Sequence, residues 1–572
     1  MVSSLLCNRF VGYWGKQSSF KHLLVKACTP TPQQWQFSEG ENWQFACLAK
    51  DVCNLSNIRQ LQRSASGLKN AVDAWVKIET DRLILGRESF GRTPLYWLQQ
   101  EETIWFASHL QLLLLLPAIA PCIDLAGLYG YCCFSYVPTP LTPIENILAL
   151  SAGRERIWQR SPFGSKEVNI YNWQGLPKLK IDEKEAAKQL QGLLEKAIAK
   201  QLEDLPAEPV GIFLSGGLDS SIVAALLVKA GVKVRAYTLD FGSLSISELA
   251  YAEQVARFLK TPLVKVAASP KQVKGALVKT VEALDLPFGD PVTVPLYLLS
   301  RAASQETAVI FNGEGGDQLF AGWTNKPLIA AGIYDRGTNF IDRYLRTFHR
   351  LYGYEEQLFQ PQTYQHIRSL QPQIWLEEAL DRAVCPDFLD CLRRATLMLK
   401  GAQNIHPRAT NLASVHGLQV RSPFCDLPLA EWCFQLPGAL FLQGSCEKYI
   451  LKRAVESWLP PDIVWREKRG MGVPGTQWLL GELWGEMGSW LHPHTVRSQG
   501  IFQGDFPVGL ILGQMGNSLR GRRMGEVLWL LLVWQIWRDR VLENSPQGNS
   551  LYNPFLIPYW GWKMFASVMA NW

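Results

Sequence analysis

The spacing of hydrophobic and polar residues changes twice along the chain. Up to about residue 175, short apolar segments such as Ala74–Ile78 alternate with polar turns, which predicts a region rich in β-strands. From Glu183 onward, a helical pattern is followed by a short strand, a glycine turn and an apolar helix, which is typical of an α/β fold. From about residue 325 the pattern is mostly helical and ends in a tryptophan-rich helix around 526–541. The sequence therefore predicts an α/β protein of more than one domain.

Composition and charge narrow the class of protein. The 572 residues carry 57 Lys and Arg against 51 Asp and Glu, a net charge of +6 without a polybasic run, so we expect no nucleic-acid partner. Apolar runs such as 527–534 are far shorter than the roughly 20 residues that cross a bilayer, and the first residues lack the pattern of a secretory signal. We therefore expect no transmembrane segment and a cytoplasmic location. The 12 cysteines are scattered without a Cys-x-x-Cys pair, which favours buried, reduced thiols over a zinc site or a disulfide framework.

The strongest chemical signal is a glycine turn between a predicted strand at 210–214 and a predicted helix at 222–230. The turn reads Ser215-Gly216-Gly217-Leu218-Asp219-Ser220-Ser221. Glycines let backbone N–H groups approach an anion closely, the helix N-terminus adds partial positive charge, and serine hydroxyls add donors. Asp219 is suited to hold a Mg²⁺ ion that bridges two phosphates. The turn therefore predicts a phosphate cradle; the alternative is a simple tight turn with Ser220 as the helix cap.

Several motifs together resemble one family. The turn 215–221 resembles the pyrophosphate loop of ATP pyrophosphatases. Three further segments are similar to motifs of the asparagine synthetases: 312–323 (NGEGGDQLFAGW), 417–426 (GLQVRSPFCD) and 466–474 (REKRGMGVP). Upstream, 85–96 (LGRESFGRTPLY) resembles the end of the family's glutaminase domain, and 136–143 resembles its linker to the synthetase half. The resemblance covers nearly the whole chain and leaves only the C-terminal tail without a counterpart.

The resemblance implies a fold and a domain order. Residues 1–175 would form an αββα sandwich like that of a class II glutaminase. Residues 176–542 would form a pyrophosphate-loop ATP pyrophosphatase domain, of the adenine nucleotide α-hydrolase type, with a helical C-terminal part. Residues 543–572 would be an aromatic tail, which we expect to pack on the helical part. Docking of the tail to a membrane surface or a partner is the alternative, because exposed aromatic side chains need cover.

The resemblance also implies roles for individual residues. ATP and its pyrophosphate would be bound by Leu214, Ser215, Gly216, Gly217, Leu218, Asp219, Ser220, Ser221, Phe241, Asn312 and Gly313. Asp219 and Asp317 would hold Mg²⁺. Lys468 would stabilise the transition states, and Glu314 would accept a proton from the attacking amine. Taken alone, Asp317 fits an Asx turn, Lys468 a solvated charge and Glu314 a helix-start acid; their places in motifs that follow the family order favour the catalytic roles.

The chain departs from the family at the glutaminase end. Glutamine-dependent members begin Met-Cys-Gly, whereas the second residue here is Val2, and the nearest cysteine, Cys7, would serve as a nucleophile only after processing. The chain also has no Asn-Gly-Glu-Ile-Tyr-Asn segment, which in the family helps to bind glutamine. In the synthetase half, Gln318 and Gln419 stand in place of acids, and 407–408 (Pro-Arg) in place of Asp-Arg. We therefore expect no glutaminase nucleophile.

These observations predict ATP-dependent amide synthesis through an acyl-adenylate, with release of AMP and pyrophosphate. Conversion of aspartate to asparagine, with ammonia in place of glutamine, is the leading assignment because it is the commonest activity of the family. One alternative is a cyclase or amide ligase, like the β-lactam synthetases and lasso-peptide cyclases, acting on a peptide or a modified amino acid. A second is an inactive nucleotide-binding scaffold. The expected partners are ATP, Mg²⁺ and small carboxylate and amine substrates, with a peptide substrate and a homodimer left open.

Overall fold

The computed structural model describes most of the chain. The described residues are 2–4, 10–15, 35–48, 74–116, 119, 121–203, 205, 208–242, 248–322, 340–467, 470–516, 519–543 and 554–569. They form two antiparallel sheets in the N-terminal part, a parallel sheet in the middle of the chain, and helices that pack around the parallel sheet and continue to the C-terminal tail. The predicted α/β class is therefore confirmed.

The N-terminal part contains the two antiparallel sheets. Its strands are β1 (Val2–Ser4), β2 (Phe10–Trp14), β3 (Trp35–Gly40), β4 (Trp43–Leu48), β5 (Ala74–Ile78), β6 (Arg82–Arg87), β7 (Tyr96–Gln100), β8 (Thr103–Ala107), β9 (Leu148–Ala149), β10 (Arg154–Arg160) and β11 (Phe163–Asn169). One sheet has the order β1-β5-β6-β10-β11 and the other the order β3-β4-β2-β8-β7-β9. Side chains from both sheets, among them Trp14, Phe106 and Trp158, share one buried cluster. The two layers therefore stack face to face, as strands with one apolar face require.

The middle of the chain forms a five-stranded parallel sheet. Its strands are β12 (Val210–Phe213), β13 (Val234–Asp240), β14 (Leu263–Ala267), β15 (Val309–Phe311) and β16 (Gln419–Arg421), in the order β14-β13-β12-β15-β16. All neighbouring pairs are parallel, so the carboxyl ends of the strands meet at one edge. That edge is where loops of an open α/β sheet bind ligands.

Helices occupy most of the remaining described chain. As far as Gln435 they are α1 (Leu110–Leu114), α2 (Leu125–Phe134), α3 (Glu183–Leu202), α4 (Leu218–Lys229), α5 (Leu249–Phe258), α6 (Pro270–Leu284), α7 (Thr293–Ala303), α8 (Gly316–Leu319), α9 (Phe340–Phe348), α10 (Glu355–Leu358), α11 (Pro361–Ile367), α12 (Ile374–Glu377), α13 (Phe388–Thr396), a π-helix (Leu397–Ile405), α14 (His406–Ser414) and α15 (Leu427–Gln435). Beyond Gln435, the helices are α16 (Tyr449–Val455), α17 (Pro461–Val464), α18 (Gly475–Leu480), α19 (Trp484–Trp490), α20 (Pro493–Ser498), α21 (Phe506–Ile511), α22 (Arg522–Trp537), a π-helix (Arg538–Glu543) and α23 (Tyr559–Met569). Short 3₁₀ turns lie at Gly438–Leu440 and Pro554–Leu556. No helix in the part of the chain that the structure describes combines the length and apolarity needed to cross a membrane.

The N-terminal part is fastened to the long helix that α13, the π-helix and α14 form together. The Arg87 guanidinium is buried and donates through Nη2 to Gly91 O at 2.7 Å and to Ala402 O at 3.0 Å. His406 Nδ1 lies 2.6 Å from Phe90 O, and because a carbonyl only accepts, the imidazole donates. The Arg87–Ala402 and His406–Phe90 contacts join the two parts through backbone carbonyls.

The aromatic tail packs on the helical part. Phe555 and Trp562 are buried, with ring centroids 5.2 Å and 5.4 Å from Trp484. The Trp484 indole donates to Phe555 O at 3.0 Å. The other side of the tail helix stays exposed, as Trp560 shows. The tail is thus held by one aromatic face.

Candidate active site

The predicted phosphate-binding loop joins β12 to α4. Its hydroxyls brace it from inside, because the Ser215 N–H donates to Ser220 Oγ at 3.3 Å and Ser220 Oγ donates to Gly217 O at 3.2 Å. Gly217 is the residue before the helix and brings no capping side chain. Ser220 therefore lies inside the helix rather than capping it. The helix N-terminus, with its partial positive charge, opens toward the loop.

Gly216 sets the shape of this loop. Its φ is +73°, in the region that favours glycine, and a Cβ there would lie 2.4 Å from Ala252 N. The backbone therefore passes directly over the first turn of α5. No other residue type fits this position without moving the loop or the helix.

A second glycine-rich loop follows β15 and packs on the first. A Cβ on Gly313 would lie 2.7 Å from Ser220 N, and one on Gly316 would lie 2.5 Å from Asp219 Cγ. The Glu314 N–H donates to Asn312 Oδ1 at 3.2 Å, so the Asn312 side chain stabilises the start of the loop. The glycines of this loop therefore bring Glu314 and its neighbours against the phosphate-binding loop.

Lys448 joins the two loops, although no sequence motif singled it out. It is 2% exposed, and its ammonium donates to Asp219 Oδ1 at 2.7 Å and Oδ2 at 2.5 Å while it also contacts Asp317 Oδ1. Gly322 makes room for it, since a Cβ there would lie 2.2 Å from Lys448 Cε. Burial lowers the pKa of Lys448, but the carboxylates, Asp219 before Asp317, raise the pKa above its usual value. The two carboxylates therefore favour the charged form of this buried ammonium.

The two carboxylates also fit the predicted Mg²⁺ site. Asp219 and Asp317 share one cation, so they lie close enough together to share another. Mg²⁺ is commonly bound by one or two protein carboxylates together with phosphate oxygens and water. Within the described residues, no group of three or more His, Cys, Asp or Glu side chains could hold a metal by itself. A Mg²⁺ ion here would therefore take its remaining ligands from the nucleotide and from water.

A cavity of about 230 Å³ lies at the carboxyl edge of the parallel sheet, between the two loops. The residues predicted for the site that line it are Leu214, Ser215, Gly217, Leu218, Asp219, Ser220, Phe241, Asn312, Gly313, Glu314 and Asp317. The end of β13 supplies an apolar wall on one side of the phosphate-binding loop. In this wall, the centroids of the Phe241 and Trp478 rings lie 6.0 Å apart. The loop after β15 supplies the opposite wall, which is polar.

Sequence profiles of known families match both parts of the chain. The asparagine synthase profile matches residues 189–539, which is more than half of the chain. The chain belongs to the asparagine synthase family. The profile of a glutamine amidotransferase domain matches residues 71–168. Family membership confirms the predicted class of enzyme, an ATP-dependent ligase that forms carbon–nitrogen bonds.

Relatives within the asparagine synthase family are distant but align over most of the chain. The asparagine synthetase (glutamine-hydrolyzing) 1 of Bacillus subtilis (strain 168) is 22% identical over 524 residues, covering 86% of this chain and 80% of that protein. A putative asparagine synthetase (glutamine-hydrolyzing) of Mycobacterium tuberculosis (strain ATCC 25618 / H37Rv) is 26% identical, covering 82% and 76%. The asparagine synthetase (glutamine-hydrolyzing) of Gallus gallus is 23% identical, covering 76% and 69%. The similarity therefore extends across both parts of the molecule.

Not every residue predicted for this family site faces the cavity. Gly216 shapes the loop from behind, and Ser221 is buried with its hydroxyl donating to Gly217 O at 2.8 Å. Ser221 thus supports the turn and does not reach a ligand directly. Lys468 and Cys7 lie outside the described residues, so their predicted roles stay predictions.

The cavity also brings together residues for which the sequence predicted no role. Lys452 pairs with Glu447 at 3.3 Å, and Arg466 pairs with Glu248 at 3.2 Å while its guanidinium stacks 4.1 Å from the Tyr251 ring. Lys452, Glu447, Arg466 and Glu248 line the cavity beside Lys448. Arg466 opens the motif 466–474, but its pairing with Glu248 joins segments 218 residues apart, which a single sequence does not show.

Proposed function

We propose that the chain activates a carboxylate with ATP and transfers the acyl group to an amine, with aspartate and ammonia as the leading pair of substrates. The observation that carries this proposal is Lys448, a charged ammonium held by Asp219 and Asp317 at the mouth of the phosphate-binding loop. A buried cation that is fixed before the reaction stabilises charge as it develops on a phosphate. The similarity to asparagine synthetases of Bacillus subtilis and Gallus gallus supports asparagine as the product.

The shape of the cavity supports one orientation of ATP. The phosphates suit the loop 215–220 at the start of α4, where backbone N–H groups and the helix N-terminus favour an anion. The nucleoside suits the apolar wall at the end of β13, with Leu239 and Phe241. The acceptor is then left with the opposite wall, beside Glu314 and Asp317. Mg²⁺ bound by Asp219 and Asp317 would supply charge neutralisation at the phosphates.

The reaction follows from this arrangement in two steps. An acceptor carboxylate oxygen forms a bond to the α-phosphorus of ATP, and the bond to the β-phosphate breaks, so that pyrophosphate leaves. The amine nitrogen then forms a bond to the acyl carbon, AMP leaves, and the surplus proton of the amine passes to the Glu314 carboxylate. Lys448 and Arg466 are the fixed cations that offset the charge on the phosphates in the first step.

Ammonia is the proposed nitrogen donor because the chain has no glutamine-binding segment of the family type. The N-terminal sheets then act as a scaffold that is docked on the synthetase part through Arg87 and His406. A second candidate function, amide ligation on a peptide or a modified amino acid, is favoured by one observation: Gln318, which stands in place of an acid of the family, is one of the residues that line the cavity.

The test is pyrophosphate release by the purified chain with ATP, Mg²⁺ and aspartate, with either ammonium or glutamine. Release and asparagine formation with ammonium alone are the expected results. Equal rates with glutamine would contradict the proposed donor, and no release with aspartate would leave the second candidate function. Asp219→Asn, which removes the shared carboxylate, is expected to abolish release, whereas Asp505→Asn on the surface is the matched control.

A further inference from the structure

The C-terminal tail has apolar side chains on two faces. Its inner face packs on the helical part, where the ring centroids of Tyr559 and Trp562 lie 5.8 Å and 5.4 Å from that of Trp484. A helix that is apolar on one face normally turns a polar face to water. The outer face of the tail is also apolar, and consists of Leu556 (77% exposed), Ile557 (48%), Trp560 (66%) and Met564 (62%). The tail therefore exposes large apolar side chains although its inner face is already packed.

The exposed side chains of the outer face are concentrated in a short segment. Trp560 and Met564 are one turn apart on α23, and Leu556 lies in the 3₁₀ turn that leads into this helix. Elsewhere in the part of the chain that the structure describes, the large apolar side chains that are exposed lie at least six residues apart in sequence. Single exposed apolar residues are ordinary, whereas a contiguous patch marks an interaction surface. The outer face therefore has the properties of a docking surface.

Hydrogen bonds to the backbone of the tail hold the outer face in a fixed position. The Trp484 indole donates to Phe555 O at 3.0 Å and to Ile557 O at 3.1 Å. The Trp562 indole donates to Pro554 O at 3.1 Å. A surface that is ordered before it meets a partner loses little conformational entropy on binding. The tail therefore presents the outer face in a preorganised form.

The charge of the tail favours an anionic partner. Residues 544–572 contain one basic residue, Lys563, and no aspartate or glutamate. Lys563 is exposed and follows Trp560 by three residues, so the two side chains leave the same side of the helix. At the surface of a bilayer, tryptophan rings lie at the level of the headgroups, and lysine extends its ammonium to the phosphates. The outer face and Lys563 therefore match the chemistry of an anionic lipid surface.

A second copy of the chain fits this surface less well than a bilayer does. A two-fold dimer pairs identical surfaces, so it would bring two Lys563 side chains into one interface in which the tail supplies no acid to pair with them. A stable protein interface buries about 800 Å² on each partner, and even a large aromatic side chain supplies only about 150–250 Å². Four partly exposed side chains supply less than a stable dimer needs.

We propose that the outer face and Lys563 dock the protein on the surface of a bilayer that contains anionic phospholipids. The tail helix lies in the plane of the interface, with Leu556 and Trp560 among the headgroups and the inner face still packed on Trp484. The ammonium of Lys563 pairs with lipid phosphates. This surface is separate from the proposed chemistry and adds a location at which that chemistry takes place.

The test is sedimentation of the full chain with vesicles of phosphatidylcholine, with or without phosphatidylglycerol. We expect the wild-type chain to bind the mixed vesicles about fivefold more tightly than the neutral ones, because one lysine contributes at an anionic surface. Trp560→Ala should weaken binding to the mixed vesicles at least about tenfold, because it removes the largest side chain of the outer face. Lys563→Gln should remove the preference for the mixed vesicles.

Two further variants separate the outer face from exposed apolar residues in general. Leu556→Gln, at the most exposed position of the outer face, should also weaken binding. Phe258→Ala is the matched control, because Phe258 is 53% exposed on α5, outside the tail, and this variant should bind like the wild-type chain. Circular dichroism checks that each variant is folded.

The outcomes that would overturn the inference are distinct. They are no binding of the wild-type chain to the mixed vesicles, equal affinities for the two kinds of vesicle, or equal binding by the wild-type and Trp560→Ala chains. Sedimentation equilibrium without vesicles tests the competing occupant. A dimer that Trp560→Ala dissociates, together with no vesicle binding, would assign the outer face to a second copy and overturn the inference.

Discussion

At the residue scale, the site depends on the charge of Lys448. Removing one partner of a buried ion pair typically costs about 3–5 kcal/mol, because the remaining charge is left without compensation. Here the remaining charges are two carboxylates at the position where ATP phosphates are proposed to bind. We expect Lys448→Ala to lower the rate of pyrophosphate release by at least about 100-fold. A coupled pyrophosphate assay measures the rate, and circular dichroism checks that the variant is folded.

Lys229→Ala is the matched control for the Lys448→Ala variant. Lys229 ends α4, the helix that begins at the phosphate-binding loop, and its ammonium pairs with Glu195 at 2.6 Å on the surface. A surface pair contributes about 1 kcal/mol or less, so this variant should keep the wild-type rate. A Lys448→Ala chain that also keeps that rate would show that the ammonium has no part in the reaction.

Sequence reasoning found the loops of the site but not this lysine. Ser215 to Ser220 and Asn312 to Glu314 belong to short motifs whose glycines and acids have a local meaning. Lys448 follows Glu447 at the start of α16, where a lysine has no pattern that distinguishes it from a surface charge. Its role appears only when segments far apart in the chain converge on it, which depends on the tertiary fold.

At the element scale, glycine substitutions on either side of α4 test the conformation of the phosphate-binding loop. Gly216 and Gly231 precede and follow α4, and both have a positive φ, +73° and +77°. A Cβ on Gly216 would clash with Ala252 N, whereas one on Gly231 would meet nothing within 4 Å. We expect Gly216→Ala to weaken ATP binding at least about tenfold, and Gly231→Ala to cost about 1 kcal/mol of stability without changing that affinity. Calorimetric titration with ATP distinguishes the two; equal affinities would contradict the role of the loop.

The tail helix allows a second comparison within one element. Trp562 is 6% exposed against Trp484, whereas Trp560, on the same helix, is 66% exposed. Trp562→Ala should lower the free energy of unfolding by about 3 kcal/mol, since it removes a buried indole and leaves a cavity. Trp560→Ala should change it by less than about 0.5 kcal/mol. Urea denaturation measures both, and equal effects would mean that the tail does not stabilise the helical part.

The elements were predicted better than their boundaries. The strand Ala74–Ile78 and the helix that begins at Glu183 are confirmed. The helix predicted at 222–230 begins earlier, at Leu218, because Gly217 and not a serine precedes it. The tryptophan-rich helix predicted around 526–541 runs from Arg522 to Trp537 and then widens into a π-helix. The order of strands in the sheets was not predicted, because pairing between distant strands leaves no local pattern.

At the scale of the whole molecule, buried histidines make the fold sensitive to acid. Burial lowers the pKa of His349 and of His406 to about 4. Between that pH and the usual histidine pKa of about 6.5, the unfolded chain binds more protons than the folded chain, so stability falls as the pH falls. In this pH range, each histidine steepens the pH dependence of the free energy of unfolding by up to about 1.4 kcal/mol per pH unit.

Replacing the buried histidines should therefore flatten this pH dependence. We expect the free energy of unfolding of a His349→Asn, His406→Asn double variant to fall less steeply between pH 6.5 and 4.5 than that of the wild-type chain. His366→Asn, at an exposed position, is the control and should keep the wild-type slope. Urea denaturation at several pH values measures the slopes. The same slope in the double variant would mean that these histidines do not couple folding to protons.

In the proposed reaction, a carboxylate oxygen of the acceptor becomes bonded to the α-phosphorus of ATP. An acceptor whose carboxylate carries ¹⁸O tests this step, using the compound that gives the fastest exchange of pyrophosphate into ATP. When the amine displaces AMP from the acyl carbon, one labelled oxygen must stay on AMP. Mass spectrometry should therefore find ¹⁸O in AMP and none in pyrophosphate. Unlabelled AMP, or label in orthophosphate together with formation of ADP, would contradict the account.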